Sequence, residues 1–186
     1  LVARRREPLE DRAAALRAAH GVGVTTLSAD VGRDEGLAKV AELAAGREIG
    51  LFVHSAALST IGEFTEQGLA THDALIALNC RAPAVLAHHL GRAMVARGRG
   101  GIVLLSSLSA LAGTALVAHY AASKAYQRVL AEGLWEELRP RGVDVLACLA
   151  GPTNTPTYRA QRPASGEWEW PPVMDPAAVA RETLDA

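Results

Sequence analysis

Three residues in the middle of the chain have the types and spacing for proton chemistry. Tyr120 and Lys124 are four apart, so on a helix they lie on one face, a turn from each other. A phenol beside an ammonium group loses its proton more easily, because the positive charge favours the phenolate. Ser107 stands thirteen residues before Tyr120, at the end of the apolar run Gly101 to Leu105. From there its hydroxyl can bond the same substrate oxygen. The three together describe a proton-transfer site beside a carbonyl or an alcohol.

The elements that must hold them follow from pattern. Ile102 to Leu105 is an apolar run and reads as a buried strand. Ala118 to Leu138 carries a helical pattern ended by Pro140 and Gly142. Further strands are expected at the end formed by Leu1 to Ala3, at Val24 to Ser28, at Ile49 to Val53 and at Val143 to Leu149. The Ile49 to Val53 run is uninterrupted and reads as buried on both faces. Helices are expected over Leu9 to Ala19, Arg33 to Ala45, Thr65 to Ala77 and Asn79 to Ala96, with Pro83 near the start of the last or at a kink. Tyr158 to Pro172 reads as irregular. Asp175 and Pro176 suit the N-cap and first position of a final helix.

Strands alternate with helices, and the strands are continuous apolar runs. That predicts an α/β chain with a doubly wound parallel sheet, covered by helices on both faces. Residues 1–186 are expected to form one domain. Ligands in such sheets bind beyond the carboxyl ends of the strands. The candidate site therefore gathers Arg4, Asp30 and Val31, Ser55-Ala56-Ala57, Ser107, and Gly151 to Thr155.

Composition narrows the partners. The chain has 186 residues, 49% apolar and 21% charged, with a net charge of −1. Such a balance suits a folded soluble protein and disfavours nucleic acid as a partner. Two cysteines, Cys80 and Cys148, have no metal-ligand spacing and fit a reduced, cytoplasmic setting. No apolar run approaches the ~20 residues of a membrane span. His88 and His89 are adjacent and do not share a helix face, so no metal site is expected.

The strand ends divide by chemistry. Ser55-Ala56-Ala57 and Gly151-Pro152-Thr153 are small and admit a flat ligand close to the backbone. Arg4 follows the strand where a dinucleotide's adenosine ribose would lie. An acid there would bond the 2′-hydroxyl, whereas a basic residue suits a 2′-phosphate. NADP(H) is therefore favoured over NAD(H).

The sequence resembles the short-chain dehydrogenase/reductase family, classical type. The resemblance rests on Ser107 followed by Tyr120-x-x-x-Lys124, on Asn79 in Leu78-Asn79-Cys80-Arg81, on Asp30-Val31, and on Gly151 to Thr155. It implies a Rossmann-like fold and oxidoreduction of a carbonyl or secondary alcohol with a nicotinamide cofactor. Tyr120 would be the general acid, and Lys124 would lower its pKa and hold the nicotinamide ribose. Ser107 would orient the substrate oxygen and Asn79 would help anchor a water chain to Lys124. The cofactor would also meet Arg4, Asp30, Val31, Ser55, Ala56, Ala57, Tyr120, Gly151, Thr153 and Thr155. Helices Asn79 to Ala96 and Ala118 to Leu138 resemble the family's dimer-forming pair, which implies a homodimer or homotetramer.

The departures are specific. None of the seventeen glycines forms the family's G-x-x-x-G-x-G turn, whose backbone donors would meet a pyrophosphate. Its Asn-Asn-Ala-Gly stands here as His54-Ser55-Ala56-Ala57, and Ala150 replaces the Pro before Gly151. The fold is expected to be truncated at both ends. Two other readings keep the fold: a non-redox enzyme of dehalogenase or lyase type, or a catalytically silent binding protein. Trp168 and Trp170, between Tyr158 and Val173, are candidates for a substrate lid.

Overall fold

A computed structural model describes residues 1–161 and 172–186, with the backbone alone at Gln161. Five parallel strands alternate with helices. These are β1 (Val2–Ala3), α1 (Arg6–His20), β2 (Leu27–Ser28), α2 (Asp34–Ala44), β3 (Leu51–His54), α3 (Leu69–Ile76), α4 (Ala82–Arg97), β4 (Gly100–Leu105), α5 (Ala118–Leu138), β5 (Val143–Cys148), α6 (Pro156–Gln161) and α7 (Pro176–Asp185). Strands β3, β4 and β5 lie side by side in that order, with Val53 opposite Val103 and Val103 opposite Leu146.

Helices α4 and α5 cover one face of this sheet. Ala87, Leu90 and Met94 of α4 and Ala131 of α5 bury Ile102, Leu104, Val143 and Val145. Ala147 joins that core, so its neighbour Cys148 points to the opposite face. There Thr183 of α7 donates to the Cys148 thiol at 3.0 Å. Helices thus stand on both faces. The Asp175 carboxylate caps α7, accepting from Ala177 and Ala178 at 2.8 and 3.1 Å.

The described strands form two sheets instead of one continuous sheet. Strands β1 and β2 pair only with each other. A cavity of about 1400 Å³ lies between them and β3, lined by Val2, Ala3, Leu51, Val53 and Leu86 among others. Leu51 and Val53 are 47% and 46% exposed. The expected burial of this strand on both faces therefore fails: Phe52 packs on the core, while the face that Leu51 and Val53 share is left open by the described residues. The Val24 to Ser28 strand contracts to Leu27–Ser28, the stretch for which β1 has partners.

Other boundaries shift for local reasons. Phe64–Glu66 is a single 3₁₀ turn, so the helix expected from Thr65 begins at Leu69. Tyr158, expected in irregular chain, lies in α6, where Thr155 Oγ accepts from its backbone N–H at 3.1 Å. Between α3 and α4 the chain makes a π-helical turn, Ala77–Arg81. Pro83 accounts for it. Proline has no N–H to give the carbonyl four residues back and its ring crowds that carbonyl, which here belongs to Asn79. The turn widens, as such π turns do inside α-helices.

Candidate functional site

Helix α5 supplies three of the side chains at the centre of the site. Tyr120 stands in its first turn, Lys124 one turn later and Gln127 below that. Lys124 is 4% exposed, and its Nζ lies 5.9 Å from the centroid of the Tyr120 ring. The ammonium donates to the Leu105 carbonyl at 2.6 Å and to Gln127 Oε1 at 3.1 Å. Ser106 Oγ donates to the Lys124 carbonyl at 2.7 Å, which ties the end of β4 to the helix. Ser107, the next residue, offers its hydroxyl to the Tyr120 phenol and also accepts from Ser109 N–H at 3.2 Å.

Burial sets the electrostatics. It pushes the Tyr120 phenol above its ordinary 10.0, while the bond from Ser107 pulls the other way. The sequence led to the opposite expectation, that Lys124 lowers this pKa. The ammonium is instead turned toward Leu105 and Gln127, and loss of water dominates at the phenol. Lys124 falls from 10.5 to about 8, because burial disfavours its charge more than the nearby thiols of Cys80 and Cys148 favour it. His54, at the end of β3, falls from 6.5 to about 4 through burial and repulsion by Lys124.

Asn79 is fully buried in the π turn. Its carboxamide accepts from Leu58 N–H at 2.8 Å, donates to the Leu58 carbonyl at 2.8 Å, and donates to Ser123 Oγ at 3.0 Å. It thereby pins the loop after β3 to α5. The Asn79 carbonyl accepts from Gln127 Nε2 at 2.8 Å. The link between Asn79 and Lys124 thus runs through the Gln127 side chain. Gln127 and Ser123 were not singled out from sequence. Their spacing was the available signal: Ser123 and Gln127 fall three and seven residues after Tyr120, polar groups on one helical face.

The expected cofactor residues occupy two regions. At the ends of β1 and β2, a cavity of about 350 Å³ is lined by Arg4, Asp30, Arg33 and Lys39. Asp30 Oδ1 accepts from Gly32 N–H at 3.0 Å and Oδ2 lies 3.8 Å from Arg33 Nε, so it shapes the turn before α2 and does not cap the helix. Val31 is buried against Leu37, Ala82 and Leu86. Ser55, Ala56 and Ala57 follow β3 and are exposed. Near α5, Gly151 leaves room that a Cβ would close, at 3.3 Å from Met174 Sδ and 3.5 Å from Leu108. Thr153 Oγ donates to the Gly151 carbonyl at 2.9 Å, and Thr155 caps α6. Arg4 is remote from α5. Trp168 and Trp170 lie outside the described residues.

Comparison with known proteins agrees with this arrangement. A family model described as short chain dehydrogenase matches residues 1–166. The chain belongs to the short-chain dehydrogenase family. A 7beta-hydroxysteroid dehydrogenase of Clostridium sardiniense is 30% identical over 180 residues, 97% of this chain. The chain spans 65% of that relative's length. Among solved structures, a short-chain dehydrogenase from Sphingobium yanoikuyae in complex with NADPH superposes with a TM-score of 0.91 at 33% identity. It is matched over all of this chain and 72% of its own. The bulky-bulky ketone specific alcohol dehydrogenase from Comamonas testosteroni gives a TM-score of 0.87 at 30% identity, covering 99% of this chain and 70% of that one. The family's fold is therefore the fold of this chain, with parallel strands and helices on both faces.

The residues present fit a nicotinamide dinucleotide at its two ends. Arg4, Arg33 and Lys39 line the cavity at β1 and β2 together with Asp30 and Glu35, which pair with Arg33 and Lys39. At the other end, Lys124 has three N–H donors, and the protein uses two of them.

Proposed function

We propose that the protein containing this chain is an NADP(H)-linked oxidoreductase. It reduces a carbonyl or, in reverse, oxidises a secondary alcohol, with Tyr120 as general acid and base. The observation that carries this reading is the Ser107–Tyr120–Lys124 cluster on β4 and α5, buttressed by Asn79. When bound, the nicotinamide supplies the hydride. Tyr120, protonated at neutral pH as an ordinary phenol is, gives its proton to the carbonyl oxygen. Ser107 accepts or donates at the same oxygen and fixes its position. Lys124 gives two N–H donors to Leu105 and Gln127 and directs the third to the cofactor's ribose. Proton donation of this kind contributes typically ~10²–10⁴-fold.

Arg4, with Arg33 and Lys39 around the same cavity, supports preference for a 2′-phosphate. Asp30 and Val31 would meet the adenine, Ser55 to Ala57 the adenosine ribose side, and Gly151, Thr153 and Thr155 the nicotinamide end. The substrate is proposed to be a bulky apolar ketone or alcohol. Leu108, Leu111 and Leu116, between Ser107 and Tyr120, are 52%, 62% and 44% exposed. Two of the relatives above are named for a steroid and for bulky ketones. Exposed Tyr126 and Val129 on α5 suit a homodimer or homotetramer. Both cysteines are free, in keeping with a cytoplasmic enzyme, and no helix among the described residues is long and apolar enough to cross a membrane.

The test is oxidation of NADPH and of NADH by the protein, with 7-oxo steroids, bulky diaryl ketones and acetone as substrates. NADPH with the bulky ketones is expected to give the highest kcat/KM. Arg4→Ala should raise KM for NADPH about tenfold, the scale of one screened bond to a charged group, and leave NADH unaffected. Equal effects on both cofactors would contradict the 2′-phosphate assignment.

A further inference from the structure

Gln127 is a carboxamide with no exposed surface, on a helix that also buries Ser123, Lys124 and Ala131. Burying such a group is unfavourable unless its hydrogen bonds are made, and here both ends are engaged. Nε2 donates to the Asn79 carbonyl at 2.8 Å, and Oε1 accepts from Lys124 Nζ at 3.1 Å. The partner carbonyl is not arbitrary. Asn79 O lacks its α-helical donor because Pro83, four residues on, has no N–H. Gln127 fills that vacancy on one side and faces the buried ammonium on the other.

Building on the proposed function, we propose that Gln127 is a positioning residue. It fixes the Lys124 ammonium beneath Tyr120 by bridging it, side chain to main chain, to the Asn79 carbonyl. The bridge joins Asn79 to Lys124 through a covalently anchored carboxamide. With Leu105 O and Gln127 Oε1 holding two of its three N–H donors, Lys124 is left with one direction in which to donate. That pre-sets the direction of the ammonium.

The groups that act on Lys124 come from several elements: Cys80 on the π turn, Cys148 on β5, His54 at the end of β3 and Tyr120 on α5 itself. A carbonyl that accepts from an ammonium favours the charged form. Removing it lets burial lower the Lys124 pKa further. Gln127→Met keeps the side-chain volume and loses both bonds. Gln127→Glu keeps an acceptor, adds a negative charge beside the ammonium and loses the donor to Asn79. The two variants must therefore move Lys124 in opposite directions.

The protein labelled with ¹³C-lysine is titrated by NMR, with Lys124→Met assigning the resonance, and the pH profile of NADPH-coupled reduction is recorded in parallel. Gln127→Met should lower the Lys124 midpoint and shift the basic limb of kcat to lower pH. Its kcat at neutral pH should fall roughly ten- to hundredfold, the range for one bond to a charged group, with KM for the ketone little changed. Gln127→Glu should raise the midpoint and move the limb back up, whether or not Gln127→Met folds. Variants that change kcat while the Lys124 midpoint stays at the wild-type pH would overturn the proposal and leave Gln127 a packing residue. A wild-type protein that reduces no carbonyl with either nicotinamide would instead refute the proposed function. The NMR midpoints then decide the Gln127 contact by themselves, and unmoved midpoints reject it.

Discussion

Acid stability should be governed to a measurable degree by His54. The side chain is 4% exposed at the end of β3, and its Nε2 has no hydrogen-bond partner among the described residues. Burial and repulsion by Lys124 hold its pKa at about 4, against an ordinary 6.5, while backbone bonds at Leu78 and Ala56 act weakly the other way. The folded state thus keeps His54 neutral where the unfolded chain already binds a proton. Stability contributed by this group is present above pH 6.5 and is lost as pH falls toward 4. The full loss is about 3 kcal/mol at about 1.4 kcal/mol per pH unit, and at pH 5 it has reached about 2 kcal/mol. Urea unfolding of the wild type and of His54→Asn at pH 7.5 and pH 5 isolates it. The variant carries no proton at this position in either state, so it should lose about 2 kcal/mol less than the wild type over that interval. For an m-value of about 2 kcal/mol/M that difference is about 1 M in urea midpoint. Parallel losses in the two proteins would refute the reasoning, and would mean that His54 is hydrated or able to move outward on protonation.

Other perturbations test the supports of the site. A Cβ at Gly36 would lie 1.9 Å from the Asp30 carbonyl oxygen, so Gly36→Ala must push α2 away from the turn that holds Asp30. Thermal unfolding should show a drop in stability of about 1–3 kcal/mol, the range for overpacking, and NADPH binding should weaken with it. Asn79→Ala removes three carboxamide bonds and strands the Leu58 N–H and carbonyl in a half-buried place. A loss of about 1–3 kcal/mol for the unsatisfied backbone group is expected, together with faster hydrogen exchange at Leu58. Unchanged exchange there would mean that Asn79 is not what holds the loop.

What could be read from the sequence was whatever depended on local pattern. Helix α5 runs over Ala118 to Leu138 as expected, because Pro140 and Gly142 stop it within a turn. The Asp175 cap followed from residue type alone. Strand β3 shows the limit of pattern. Its apolar run implied burial on both faces, but which faces are covered depends on the strands beside it, and here Leu51 and Val53 open onto the cavity beside β1. Two local signals went unjoined. Pro83 marks a helix start or a kink, and it also takes the α-helical donor from the Asn79 carbonyl. Gln127 then had no evident partner, since the carbonyl it meets lies 48 residues away in sequence. The direction of the Tyr120 pKa was misjudged for a similar reason. Spacing places Lys124 near the phenol, but it does not reveal that burial raises the phenol while the ammonium bonds Leu105 and Gln127.

The central claim is that Tyr120 carries the proton. The most direct measurement is the rate of NADPH-coupled ketone reduction by Tyr120→Phe beside the wild type, with NADPH affinity measured by fluorescence on both. Removing the hydroxyl leaves the ring, the Lys124 contacts and the cofactor side of the site in place. The account predicts a fall in kcat of roughly 10²–10⁴-fold with little change in NADPH affinity. A Tyr120→Phe protein that reduces the ketone at the wild-type rate would contradict it.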